Sequence, residues 1–98
     1  MHPEGRLDVA VAPAFREQVK RLLEAGSTKL IIDLGGVSFV DSSGLGTILV
    51  GVKLARRAGG DIRIVRPPAQ FNALLQLTSV SRVLPVYPSV EEALVDFD

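Results

Sequence analysis

The stretch Val37-Ser38-Phe39-Val40-Asp41-Ser42-Ser43-Gly44-Leu45-Gly46 joins an apolar, strand-like run to a helical pattern, with two serines at the junction. From there Leu45, Ile48, Leu49 and Val52 recur at i, i+3, i+4 and i+7, which is one face of an amphipathic helix. Lys53, Arg56 and Arg57 before Gly59-Gly60 supply the cations and the glycine that suit its C-terminus. Backbone N–H groups in a first helical turn lack intrahelical partners, and the macrodipole adds partial positive charge, so the junction favours an anion. Asp41, Ser42 and Ser43 are all residue types that cap helices by accepting those N–H groups. A phosphoryl group on either serine would bring about −1.5 to −2 charge to the same place. On residue types alone, an ordinary cap and a phosphate acceptor both remain open.

Working outward, Lys29-Leu30-Ile31-Ile32-Asp33-Leu34 is a β-branched apolar run that Gly35-Gly36 ends, a strand buried on both faces with Asp33 near its end. Before it, Pro13 opens a helix over about 13–25 whose inner face is Phe15, Val19, Leu22 and Leu23, with Gly26 as terminator. After the central helix, Asp61–Arg66 reads as a strand stopped by Pro67-Pro68. A third helix faces in through Phe71, Leu74 and Leu75 and ends around Thr78-Ser79. Val83–Tyr87 is a last short strand with Pro85 at an edge or beyond regular pairing, and Ser89 with Glu92 has capping-box spacing for a helix facing in through Val90, Ala93, Leu94 and Phe97. Strands alternating with helices imply crossover connections. The expectation is one α/β domain over 1–98, with an about four-stranded mixed sheet and helices packed on it. Only seven residues precede Asp8, so the N-terminal strand is expected to be missing or shortened, leaving an edge that invites pairing with another copy of the chain.

Composition narrows the chemistry. Hydrophobic residues make up 47% of 98 residues, enough for a core, and there is no cysteine for disulfides, thiol catalysis or thiolate-bound zinc. Eleven Lys+Arg balance eleven Asp+Glu without a basic run, which leaves no electrostatic footprint for nucleic acid or an anionic membrane. No apolar run approaches the roughly 20 residues of a membrane span, and cytoplasm is the expected compartment. His2 is the single histidine, at a terminus, so a general base for an enzyme is lacking. Gly44-Leu45-Gly46 lacks the third glycine of a dinucleotide fingerprint, and no G-K-[ST] phosphate loop occurs. Its glycines are better explained by tight helix-start geometry and close packing. Asp33 and Asp41 have no third acidic neighbour for a metal, so solvent-facing and capping roles are expected of them. Neither enzyme activity, cofactor nor metal is anticipated.

Asp33 through Gly46 resembles the signature of STAS domains, and specifically that of the bacterial anti-sigma factor antagonists. Gly5-Arg6-Leu7-Asp8 is similar to the family's G-x-L-D turn, Ala58–Arg63 to its G-G-x-L segment, and Val86–Leu94 to its terminal helix entry, so the likeness covers about residues 4–97. The resemblance implies a switch in place of an enzyme. In that family the unmodified antagonist sequesters an anti-sigma factor and frees the sigma factor. The anti-sigma factor is itself a serine kinase that phosphorylates the antagonist, and a metal-dependent serine phosphatase resets it. By position the acceptor is Ser42, with Ser43 a second candidate, Asp41 its orienter, and Gly44, Leu45 and Gly46 part of the docking surface. Asp8 matches an acidic turn residue near the kinase contact, although a turn aspartate bonding its own backbone explains it equally. Members of the family carry a longer lead-in before the G-x-L-D turn. The competing reading is a non-switching STAS subunit of a transporter or stress-signalling complex, or one that binds a lipid or nucleotide.

Overall fold

The computed structural model describes residues 1–78, 80 and 84–97. The chain runs β1 (Glu4–Leu7), α1 (Ala12–Glu24), β2 (Lys29–Asp33), β3 (Gly36–Val40), α2 (Ser42–Arg57), β4 (Asp61–Val65), α3 (Ala69–Thr78), β5 (Val86–Tyr87) and α4 (Val90–Leu94). The expected α/β domain is what folds; where about four strands in a mixed sheet were expected, the described residues form five strands in two ladders, β1-β3 and β2-β4-β5, every pairing parallel. Crossover helices account for the parallel sense, because no tight hairpin connects consecutive strands here.

The two ladders meet at the first residue. The Met1 amine donates to the Ile31 carbonyl at 2.9 Å, and the Asp33 N–H donates to the Met1 carbonyl at 2.8 Å. The next amide, Leu34 N–H, turns the other way to the Val65 carbonyl at 2.8 Å. Residues 1–7 therefore run along the side of β2 that faces away from β4, then along β3, with the register shifting between Gly5 and Arg6. The N-terminal strand is present in shortened form. Among the described residues it has β3 as its one strand partner, and three of its four residues are exposed.

The core forms where strand alternation meets helical period. Ile62 and Ile64 of β4 are fully buried, as are Ile32, Val40 and Ile48, each contributing about 1.5–3 kcal/mol by leaving water. α1 packs on α2, and α2 on β3 and β4. Gly51 makes that contact close: a β-carbon there would lie 3.0 Å from Val19 and 3.1 Å from Ile62. Arg63, between the two isoleucines, projects to the other face and donates through Nη1 to the carbonyls of Ala93 and Val95, both at 2.7 Å, holding the C-terminal end of α4.

Three local expectations change. The last strand is Val86–Tyr87 only, because Pro85 has no N–H to pair; Val83 and Ser79 lie outside the described residues. Leu94 is 56% exposed, since α4 is five residues long and buries Ala93 alone. Asp33 is neither solvent-facing nor a cap: it is 3% exposed and bound to Arg66.

Candidate functional site

β3 ends at Val40 and α2 starts at Ser42, so the whole turn between strand and helix is one residue, Asp41. Its backbone is extended, at φ −91° and ψ −176°, the geometry of an N-cap. Oδ1 accepts the Gly44 N–H at 2.9 Å, and Oδ2 accepts the Val9 N–H at 3.1 Å. The Asp41 N–H donates in turn to the Leu7 carbonyl at 3.1 Å. One aspartate thus caps α2 and ties its start to the turn after β1. The cap expected at this junction is Asp41, which leaves the two serines inside the first helical turn.

Ser42 is exposed and Ser43 half-buried, and neither hydroxyl has a hydrogen-bond partner among the described residues. The backbone N–H groups of both serines are likewise unpaired among the described residues. The site therefore offers a hydroxyl in solvent at the positive end of a 16-residue helix, with spare donors beside it. The Ser43 carbonyl accepts the Thr47 hydroxyl at 3.1 Å, a bond internal to the helix.

Gly44 and Leu45 point inward. Leu45 is 4% exposed within the core, and a β-carbon on Gly44 would stand 2.4 Å from the Leu7 carbonyl oxygen. Both seat the helix start on β1, whereas Ser42, Ser43 and Gly46 keep part of their surface in solvent. Gly46 has nothing within 4 Å of where its β-carbon would be, so no packing inside the chain requires glycine there. Asp8 lies in the adjoining turn. Its Oδ1 accepts the Ala10 N–H at 3.0 Å, its carbonyl accepts the Val11 and Ala12 N–H groups, and Arg6 approaches its Oδ2 at 3.6 Å. The carboxylate serves its own turn, and through Val9 that turn borders Asp41.

Two supports of the site carry no signal in the local sequence. Gln70 of α3 pairs with both backbone groups of Val40, donating to its carbonyl at 2.7 Å and accepting its N–H at 2.9 Å. Asp33, at the end of β2, accepts Arg66 Nε at 3.2 Å on Oδ1 and Arg66 Nη2 on Oδ2, together with the Gly35 N–H at 2.9 Å. The bond from Arg66 is the main reason its carboxyl is held below the usual carboxylate range, against the opposing effect of burial. Arg66 adopts φ +51°, which turns the chain out of β4 and brings its guanidinium back over Asp33. Among the described residues no group of three or more His, Cys, Asp or Glu could hold a metal, and no helix is long and apolar enough to cross a membrane.

The anti-sigma-B factor antagonist of Bacillus subtilis is 30% identical over 82 residues, covering 84% of this chain and 74% of that protein. The crystal structure of tm1081 from Thermotoga maritima superimposes with a TM-score of 0.91 at 28% identity, covering 97% of this chain and 82% of that one. The Bacillus cell fate determinant SpoIIAA in its phosphorylated form shares the fold, with a TM-score of 0.74 at 21% identity over 99% of this chain and 87% of that one. Residues 1–93 match the STAS domain model, and with the helix start of Ser42 and its flanking turn built as described, the chain belongs to the STAS domain family.

Proposed function

We propose that this chain is an anti-sigma factor antagonist whose binding is switched by phosphorylation of Ser42. The observation that carries the reading is the exposed, unpartnered Ser42 hydroxyl at the N-terminus of α2, on a backbone that Asp41 already holds. Because Asp41 satisfies the cap, a phosphoryl group on Ser42 replaces nothing the fold needs. The free N–H groups and the helix dipole stabilise the added charge locally. A partner packed over Ser42, Ser43 and Gly46 would instead have to desolvate or repel that charge, at a cost of several kcal/mol. The unmodified chain is the form that sequesters an anti-sigma factor and so releases a sigma factor. The anti-sigma factor is the kinase, and a metal-dependent serine phosphatase restores the binding form. Asp8 and Asp41 border this surface and contribute to docking. β1, with one strand partner among the described residues, is the edge through which two copies would pair.

The test is incubation with ATP and the serine kinases of the source genome, with phosphate mapped by mass spectrometry. The proposal expects one phosphate on Ser42 and none on Ser42→Ala. Label that persists in Ser42→Ala moves the site to another residue such as Ser43, and absence of label with every kinase favours a non-switching STAS subunit.

A further inference from the structure

We infer that Gln70 is a positioning residue for the acceptor segment, an inference that rests on the proposed modification of Ser42. Val40 is the last residue of β3, is fully buried, and stands two residues before Ser42. On one side it is in register with Leu7 of β1. On the other side there is no strand among the described residues, and the Gln70 carboxamide takes that place, with its NH2 on the Val40 carbonyl at 2.7 Å and its oxygen on the Val40 N–H at 2.9 Å. A carboxamide presents a donor and an acceptor side by side as a peptide group does, so a single side chain closes the ladder at its last rung. The opposite orientation would set NH2 against N–H and oxygen against oxygen, so the two bonds fix the amide.

Gln70 is itself held. It lies in the first turn of α3, where the Phe71 N–H donates to the Pro68 carbonyl at 2.9 Å and the Phe71 side chain is fully buried. Four residues earlier Arg66 is clamped on Asp33. The short segment from Arg66 to Gln70 is therefore anchored at both ends, by Arg66 on the end of β2 and by Gln70 on the backbone next to the acceptor. Asp41 fixes the same backbone toward β1, and Gln70 fixes it toward α3. With both tethers the Ser42 backbone has one location relative to the rest of the surface that a kinase would grip, and the hydroxyl turns about its χ1 bond alone. Phosphoryl transfer depends on placing the acceptor oxygen in line, and a misplacement of about 1 Å can cost roughly a hundredfold in rate. Gln70 acts through Val40 and touches neither phosphate nor kinase in this account.

The test uses the full chain with Gln70→Ala, which removes both bonds, and Gln70→Glu, which keeps the size and one acceptor but sets an oxygen against the Val40 carbonyl. Amide exchange at Val40 and the line shapes of the Ser42 and Ser43 amides are followed by NMR, and phosphorylation is timed with ATP and the serine kinase that labels wild-type Ser42. In Gln70→Ala the Val40 amide should exchange roughly tenfold faster, while Ile64 keeps its protection. The Ser42 and Ser43 resonances should broaden, and kcat should fall at least roughly tenfold with KM within about twofold. Gln70→Glu should show the same direction of change even if Gln70→Ala folds poorly. Unchanged Val40 exchange, or unchanged kcat with Val40 exposed, overturns the inference. A rise in KM at constant kcat overturns it too, because that would make Gln70 a docking residue. If no kinase labels the wild-type chain the proposed function fails, and the NMR measurements alone still uphold or overturn the positioning role.

Discussion

Gly44 sits against Leu7 so closely that a β-carbon would lie 2.4 Å from the Leu7 carbonyl oxygen and 3.0 Å from the Leu7 β-carbon. The start of α2 is therefore seated directly on the backbone of β1, and the glycine is the reason it fits. Two positions on, Gly46 occupies open space. Of these two glycines of one motif, the first packs within the chain and the second meets nothing inside it.

Alanine substitution separates them. Gly44→Ala should destabilise the fold by roughly 1–3 kcal/mol, because the obstructing atom is backbone and cannot swing away. Gly46→Ala should stabilise it by about 1 kcal/mol, the gain from removing glycine inside a helix, and should weaken anti-sigma factor binding roughly tenfold. Thermal melts with binding titrations check both. A Gly46→Ala protein that is more stable and binds normally would remove Gly46 from the docking surface.

Asp33 makes stability depend on acid. The hydrogen bond from Arg66 leads the effects that lower its pKa, burial opposes, and the Gly35 N–H and the charges of Arg66 and His2 reinforce the lowering. A carboxyl lowered in the folded state binds its proton more readily when unfolded. Its contribution is therefore complete above the unfolded value, about pH 4, and is lost as the pH falls from there through the lower folded value. Asp33→Asn should lower stability at neutral pH and flatten the acid limb of a urea-midpoint profile taken from roughly pH 3 to 7. An unchanged acid limb would show that Arg66 does not set this carboxyl.

Arg63 links β4 to the C-terminus. Besides its bonds to Ala93 and Val95, its guanidinium stacks 4.3 Å from the Phe97 ring centroid and 5.2 Å from that of Tyr87. Arg63→Met keeps much of the apolar length but offers no donors. It should cost about 1.5–3 kcal/mol, the range for hydrogen bonds to a charged group, and expose the α4 amides to exchange ahead of those of β4. Simultaneous exposure of both elements would mean that α4 is not the separable part.

The helices and the central strands were legible because period and punctuation agreed. Asp41 before Ser42 and Gly59 after Arg57 bracket α2 within a residue of its observed ends, and Asp61–Val65 is bounded by Gly60 and Pro67. The capping role of Asp41 and the placement of Ser42 at the helix start followed from the same local rules. The partners of Asp33 and Val40 did not, because Arg66 is 33 residues and Gln70 is 30 residues away from them, and no helical or strand period spans such distances. An aspartate ending an apolar strand, with an arginine just past a strand in register with it, is the one hint the sequence held for the first pair. A family motif names Leu45 without saying which way it faces, whereas its i, i+3, i+4 spacing with Ile48 and Leu49 assigns it to the core face, where it is buried.

The most direct measurement is a calorimetric titration of the anti-sigma factor with the unmodified chain and with the chain phosphorylated at Ser42, at one salt concentration. The account predicts at least roughly hundredfold weaker binding of the phosphorylated form, equivalent to about 2.7 kcal/mol, with thermal stability within about 0.5 kcal/mol of the unmodified chain. Equal affinity of the two forms would contradict it.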